Sequence, residues 1–161
     1  EDAETIVIAM GSVLGTVKDT VDEMRAQGHK IGVLGIVSFR PFPHEAVAAA
    51  LKHCKRFVVL EKSLAVGIGG IVATDVRMAV TGMGLKGFTV VAGLGGRAIT
   101  VKSLTALFEK ATREALDPVT FLDLDWKAVN KQLDREKARR RSGPVAEALL
   151  RDVGVVGIRN Y

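Results

Sequence analysis

The stretch Thr5-Ile6-Val7-Ile8-Ala9-Met10-Gly11-Ser12-Val13-Leu14-Gly15 decides the fold. Its first six residues are a short apolar, β-branched run with no polar alternation, which reads as a strand covered on both faces. Gly11 ends the run. Val13, Val17, Val21 and Met24 then recur at helical spacing before Gly28, with Lys18, Asp19, Asp22, Glu23 and Arg25 at the polar positions. A covered strand feeding an amphipathic helix is the first half of a parallel β-α-β unit.

The same rhythm continues outward from this stretch. Ile31 to Ile36 reads as a second strand, and Arg40-Pro41-Phe42-Pro43 punctuates before a helix from His44 to His53, with Pro43 suited to its first turn. Arg56 to Leu60 is a third strand, followed by a loop bearing Gly67, Gly69 and Gly70 and a helix from about Ile71 to Val80. Phe88 to Ala92 is a fourth, followed by Gly93-Leu94-Gly95-Gly96 and a helix that Thr100 caps, with Leu104, Leu107, Phe108 and Ala111 on its apolar face. Thr120 to Leu124 adds an edge strand. The connections are too long for hairpins, so the pattern predicts a three-layer α/β domain: a mostly parallel five-stranded sheet with helices on both faces, over residues 1–125. Residues 126–161 form a second part. Trp126 to about Arg141 reads as a charged helix, stopped by Ser142-Gly143-Pro144. Val145 to Leu150 is amphipathic, and Val153 to Ile158 is an apolar end expected to pack on a partner.

Composition narrows the function classes. With 48% hydrophobic and 25% charged residues in 161, the chain has a globular balance and enough length for a core. No apolar run approaches the roughly 18 residues of a membrane span, and the acidic Glu1-Asp2-Ala3-Glu4 lacks the features of a secretory signal, so the expected location is cytoplasmic. A first residue other than Met fits an excised or processed segment. The net charge of +5 is local: Lys127, Lys131, Arg135, Lys137, Arg139, Arg140 and Arg141, opposed there by Asp134 and Glu136, account for all of it. This stretch has no interleaved aromatics beyond Trp126. A solvated face that docks on an acidic partner is therefore preferred to nucleic-acid binding, which stays as an alternative.

The catalytic inventory is sparse. Cys54 is the only cysteine, so it forms no internal disulfide and no cluster site. Beside Lys55 and Arg56 its pKa could fall, but a buried small hydrophobe is the preferred reading. His29, His44 and His53 share no ligand spacing, and Asp22, Glu23, Asp123 and Asp125 carry no mark of acid/base work. The glycine turns are weak anion-site candidates. Gly11, Ser12 and Gly15 sit at a strand-to-helix turn without the lysine of a P-loop, and Gly95, Gly96 and Arg97 lie in a formal G-x-G-x-x-A that follows the fourth strand rather than the first. Gly67-Ile68-Gly69-Gly70 reads as a flexible or closely packed turn. Arg40 stands on a loop stiffened by Pro41 and Pro43, so Arg40, Pro41, Phe42 and Pro43 are candidate interface residues, with Trp126, Arg139, Arg140 and Arg141 on the late helix.

Ile8-Ala9-Met10-Gly11-Ser12 with Gly15-Thr16-Val17, then Phe39-Arg40-Pro41-Phe42-Pro43, then Gly93-Leu94-Gly95-Gly96-Arg97 together resemble the C-terminal domain of the α subunit of pyruvate:ferredoxin oxidoreductases and related 2-oxoacid:acceptor oxidoreductases. The resemblance spans about Thr5 to Leu124. It implies a fold like the transketolase C-terminal domain and a non-catalytic, structural role. It further implies that thiamine diphosphate, magnesium and iron–sulfur clusters sit on partner domains, with none on this chain. The implied partners are pyrimidine- and pyrophosphate-binding domains, γ-type and ferredoxin-type subunits, in a dimeric assembly. The implied parent reaction is oxidative decarboxylation of a 2-oxoacid, pyruvate first, to an acyl-CoA. The chain departs from the family pattern at Glu61 to Gly67, where an aromatic is expected before the glycines. A CoA- or nucleotide-binding module stays as the alternative.

Overall fold

The computed structural model describes residues 2–140, with side chains through Lys137. The expected stop at Ser142 to Pro144, the piece from Val145 and the apolar end therefore lie outside the described residues, as does Arg141. The elements run β1 (Thr5–Met10), α1 (Val13–Ala26), β2 (Ile31–Ile36), α2 (His44–Leu51), β3 (Arg56–Glu61), α3 (Ile71–Ala79), β4 (Lys86–Val91), α4 (Val101–Thr112), β5 (Val119–Phe121) and α5 (Trp126–Arg140). The chain divides into two units, the first ending at Asp123 and the second starting at Leu124. No helix among the described residues is long and apolar enough to cross a membrane.

In the first unit the five strands lie in the order β2-β1-β3-β4-β5, and every pairing is parallel. Alternation along each strand builds two cores. Val7 and Ala9 of β1, Val58 and Leu60 of β3, and Phe88 and Val90 of β4 face Val17, Val21 and Met24 of α1 and Leu104, Leu107 and Phe108 of α4. On the other face Ile8, Phe57 and Val59 meet Val47 and Leu51 of α2 and Val72, Ala73 and Val76 of α3. The sheet is the middle of three layers. Its central strands have no polar face because both faces are covered, which is why β1 and β3 read as continuous apolar runs.

Several boundaries differ from the sequence reading. β4 starts at Lys86, because Lys86 and Gly87 pair with Arg56 and Phe57 although neither carries an apolar signal. α2 stops at Leu51, where the chain turns and the Cys54 amide donates to the Leu51 carbonyl. β5 is only Val119–Phe121, and Pro43 precedes α2 rather than sitting inside it. The cap on α4 stands as read: Thr100 Oγ1 accepts from the Ser103 amide at 3.1 Å. Buried Thr5, Thr20 and Thr89 are all hydrogen-bonded, to Arg56, the Thr16 carbonyl and Arg77 respectively.

The amino ends of the strands carry a band of ion pairs. Asp2 meets Arg25 at 2.8 Å, Glu4 meets Lys55 at 2.8 Å and Lys30 at 3.6 Å, and Glu114 bridges Arg56 at 3.1 Å and Lys86 at 2.9 Å. The hydrogen bonds from Lys86 and Arg56 hold the Glu114 carboxyl below its ordinary value. Asp2 and Glu4 are lowered in the same way, chiefly by Arg25 and Lys55.

Two outcomes follow. Thr100→Ala removes the α4 cap and lowers the urea midpoint by an equivalent of about 1 kcal/mol. A carboxyl depressed in the folded state contributes stability above its unfolded pKa and loses it as the pH falls through its folded pKa. Urea titrations of wild type and Glu114→Gln therefore differ at neutral pH and converge as the pH drops below the ordinary glutamate value of 4.5.

Candidate functional site

Strand order places the reversal in the direction of strand addition between β1 and β3: β2 lies on one side of β1, and β3, β4 and β5 follow on the other. In open parallel sheets a crevice forms outside the carboxyl ends of the strands at such a point. Here it encloses about 470 Å³ and is mainly apolar, walled by Met10 at the end of β1, Val13 at the start of α1, Phe39 after β2, Leu60 near the end of β3, Ile71 at the start of α3 and Ile99 before α4. Gly11 and Ser12 lie on its rim together with Lys62 and Ser63.

Glu61, the last residue of β3, organises one wall. α3 begins without a side-chain cap of its own, because its N-cap residue is Gly70. The buried Glu61 carboxylate supplies the missing acceptors: Oε2 accepts from the Val72 amide at 2.9 Å and Oε1 from the Ala73 amide at 3.1 Å. An anion at a helix N-terminus also gains from the helix dipole. Gly70 makes the approach possible, since a Cβ there would run into Glu61 Oε1 and crowd Thr89. The Gly67-Ile68-Gly69-Gly70 turn is closely packed at its last position for this reason.

Arg40 is fixed within the chain. Its Nη1 donates to Asp75 Oδ2 of α3 at 2.8 Å and to the Phe39 carbonyl at 2.8 Å, and its guanidinium lies 3.9 Å from the centre of the Phe39 ring. The Arg40-Pro41 peptide is cis. Phe42 meets Phe39 edge-on at 6.5 Å. Asp75 is 11% exposed and Arg40 56%, so one side of the guanidinium still faces solvent.

The glycine turns fall into place around a second, shallow and polar hollow beside the crevice, lined by Ser12, Thr16, Lys62, Gly96 and Arg97. It brings together Ser12 from the first turn with Gly96 and Arg97 from the last, which the sequence reading held apart. Gly15 and Gly95 line neither hollow. Gly93, Gly95 and Gly96 all have positive φ, which makes the loop a backbone device first. Arg97 donates to the Asp123 carbonyl at 2.6 Å. The helix N-terminus that a dinucleotide would use after this loop, that of α4, is already capped by Thr100.

Other candidates are not among the residues that line either hollow. Cys54 is buried beside α2, and burial pushes its thiol up rather than down. Among the described residues no group of three His, Cys, Asp or Glu could hold a metal ion. Asp125 caps α5, accepting from the Lys127 and Ala128 amides at 3.0 and 3.1 Å. Trp126 is exposed at the head of that helix; the side chains of Arg139 and Arg140 lie outside the description. The residues that sequence reasoning missed are Glu61 and Lys62. Their signal was an acid placed directly after the apolar run Phe57 to Leu60, with no turn residue between it and a cation.

Comparison with known proteins gives three results. The family described as pyruvate:ferredoxin oxidoreductase core domain II matches residues 3–104. Among curated relatives, the pyruvate synthase subunit PorA of Methanosarcina barkeri is 41% identical over 133 residues, 77% of this chain and 33% of that protein. The pyruvate synthase subunit PorA of Pyrococcus furiosus is 36% identical over 80% of this chain and 34% of its own length. The ketoisovalerate oxidoreductase subunit VorA of Pyrococcus horikoshii is 32% identical over 78% and 32%. The chain thus spans about a third of the length of the relatives it matches. Among solved structures, the 2-oxoglutarate:ferredoxin oxidoreductase from Magnetococcus marinus with 2-oxoglutarate, coenzyme A and succinyl-CoA bound shares the fold at a TM-score of 0.50 and 18% identity, over 68% of this chain and 18% of that one.

Glu61→Gln keeps the shape but turns an amide NH2 toward one of the α3 amides. It is expected to cost about 1–3 kcal/mol in urea unfolding. Gly70→Ala, which forces the carboxylate off those amides, costs more.

Proposed function

This chain belongs to the pyruvate:ferredoxin oxidoreductase core domain II family, and we propose that it is the non-catalytic assembly domain of a thiamine-diphosphate-dependent 2-oxoacid:ferredoxin oxidoreductase. The parent reaction is oxidative decarboxylation of a 2-oxoacid to an acyl-CoA, with electrons passed to ferredoxin or a similar acceptor. Pyruvate is the first substrate to test, although the relatives named for pyruvate and for ketoisovalerate are both recognisable in this sequence. The domain keeps neighbouring domains and subunits in register, and the cofactors sit on those neighbours.

The observation that carries the reading is the state of the carboxylates around the crevice. A magnesium-bound diphosphate needs oxygen ligands from the protein. The buried acids at this end, Glu61 and Asp75, are committed to α3 amides and to Arg40. An iron–sulfur cluster needs several thiolates, and Cys54 is the only cysteine. The residues present therefore do not fit either group, and this chain supplies packing surface rather than reacting groups. A second reading, an anion-binding module for CoA or a nucleotide, draws on the hollow between Ser12, Lys62 and Arg97.

The chain incubated alone with thiamine diphosphate, Mg2+, CoA, a viologen acceptor and a panel of 2-oxoacids is expected to reduce no acceptor. Adding it to the oxidoreductase assembled without it is expected to restore activity. Turnover by the chain alone overturns the assignment.

A further inference from the structure

Beyond the assembly reading, we propose that the crevice and the polar hollow beside it form one binding site for a small amphipathic anion, an aliphatic chain bearing a carboxylate or a phosphate ester at one end.

The two depressions are halves of one feature, because Ser12, Val13, Lys62 and Ile99 line both. The crevice half is walled further by Met10, Phe39, Leu60 and Ile71. Such walls offer water few of the about two to four polar partners that hold it in a cavity. Met10 and Ile71 are each 37% exposed, so apolar surface inside the crevice is left to be covered. Its volume of about 470 Å³ lies within the range of small-molecule sites. At about 30 Å³ for each water-sized atom, that is more room than any one side chain of a neighbouring protein fills. Val37, Val66, Ile68 and Leu94, exposed on the loops after β2, β3 and β4, line neither half and take no part in the site.

The polar groups gather at the other half. Lys62 and Ser63 have no hydrogen-bond or ion-pair partner among the described residues. The Ser12 hydroxyl does not cap α1. Arg97 adds a second cation to the hollow, held through Nη1 by the Asp123 carbonyl. The acids nearby leave this charge unmatched within the site: Glu61 is turned inward onto α3, and Asp123 and Glu45 line neither half. The site is thus apolar at one side and cationic at the other. An inorganic anion would leave the crevice empty, and a neutral alcohol would leave Lys62 and Arg97 without a counter-charge. A nucleotide would press a polar sugar against apolar walls. An aliphatic oxyanion satisfies both halves.

Calorimetry on the full chain at low salt compares octanoate and octyl phosphate with acetate, inorganic phosphate, octanol and CoA, each up to millimolar concentration. Saturable binding of one or both octyl anions is expected, weakening about three- to fourfold for each methylene removed from the tail. A preference for octanoate identifies a carboxylate ligand and a preference for octyl phosphate a phosphate ester; either supports the site. Lys62→Gln, at an exposed position, should weaken the anion about five- to tenfold without moving the urea midpoint. Met10→Asp should remove the dependence on tail length. The inference is overturned by binding of octanol, acetate or inorganic phosphate as tight as that of the octyl anions, by saturation with CoA alone, or by no saturable heat with any compound. An unchanged affinity in Lys62→Gln, or an unchanged tail dependence in Met10→Asp, overturns it as well. None of these results bears on the assembly reading, which is judged by restored activity of the oxidoreductase.

Discussion

Two amide hydrogens at the start of α3 point at one carboxylate, Glu61, and much of the molecule's carboxyl end hangs on that contact. Glu61 closes β3, and its backbone is held by β4, where it pairs with Val91 and its carbonyl accepts from the Ala92 amide. Its side chain then fixes where α3 begins, and with α3 the position of Asp75, which anchors Arg40 and through it the loop after β2. Two successive connections are thereby tied to one residue at the end of a central strand. The arrangement requires a residue without a side chain at position 70, and Gly70 is there. The acid that looks most available for chemistry is thus spent on architecture.

The layer structure was legible in the sequence because parallel sheets leave a simple trace. β1 and β3 are covered on both faces and so are continuously apolar; α1 and α4 are covered on one and so show a clean helical stripe. What failed to show were places where pairing overrides composition, such as Lys86-Gly87, which belong to β4 only because β3 lies beside them. The site was less legible for a related reason. Ser12, Lys62 and Arg97 come from three loops over 80 residues apart at the extremes, and only the strand order brings them to one hollow. Glu61 was passed over because a remote cap has no sequence spacing: it satisfies residues 11 and 12 positions further on through space.

The family assignment and the geometry bear on each other through the relation of part to whole. The matched relatives are about three times as long as the stretch they share with this chain. A domain embedded in a larger protein need not bury every apolar side chain by itself, and it need not carry reacting groups to be required. The exposed side chains after β2, β3 and β4 and the self-contained ion pairs at the opposite end give this domain one pole with exposed apolar side chains and one pole of paired charges.

The central position of β1 also has a consequence in time. It precedes in the chain both strands that flank it, so Val7 and Ile8, each fully buried at the end, find no sheet partner until β2 and then β3 have been made. Ribosomes add about 5–20 residues per second, and on the order of a few seconds separate the synthesis of β1 from that of β3. During that interval the most apolar strand of the domain is a nascent, unpaired ribbon with the composition that chaperones bind and that aggregates nucleate from. α1, whose helix forms from local contacts, is the next element of the chain able to shelter it. A sheet built outward from its earliest strand thus makes co-translational protection part of what this domain asks of the cell.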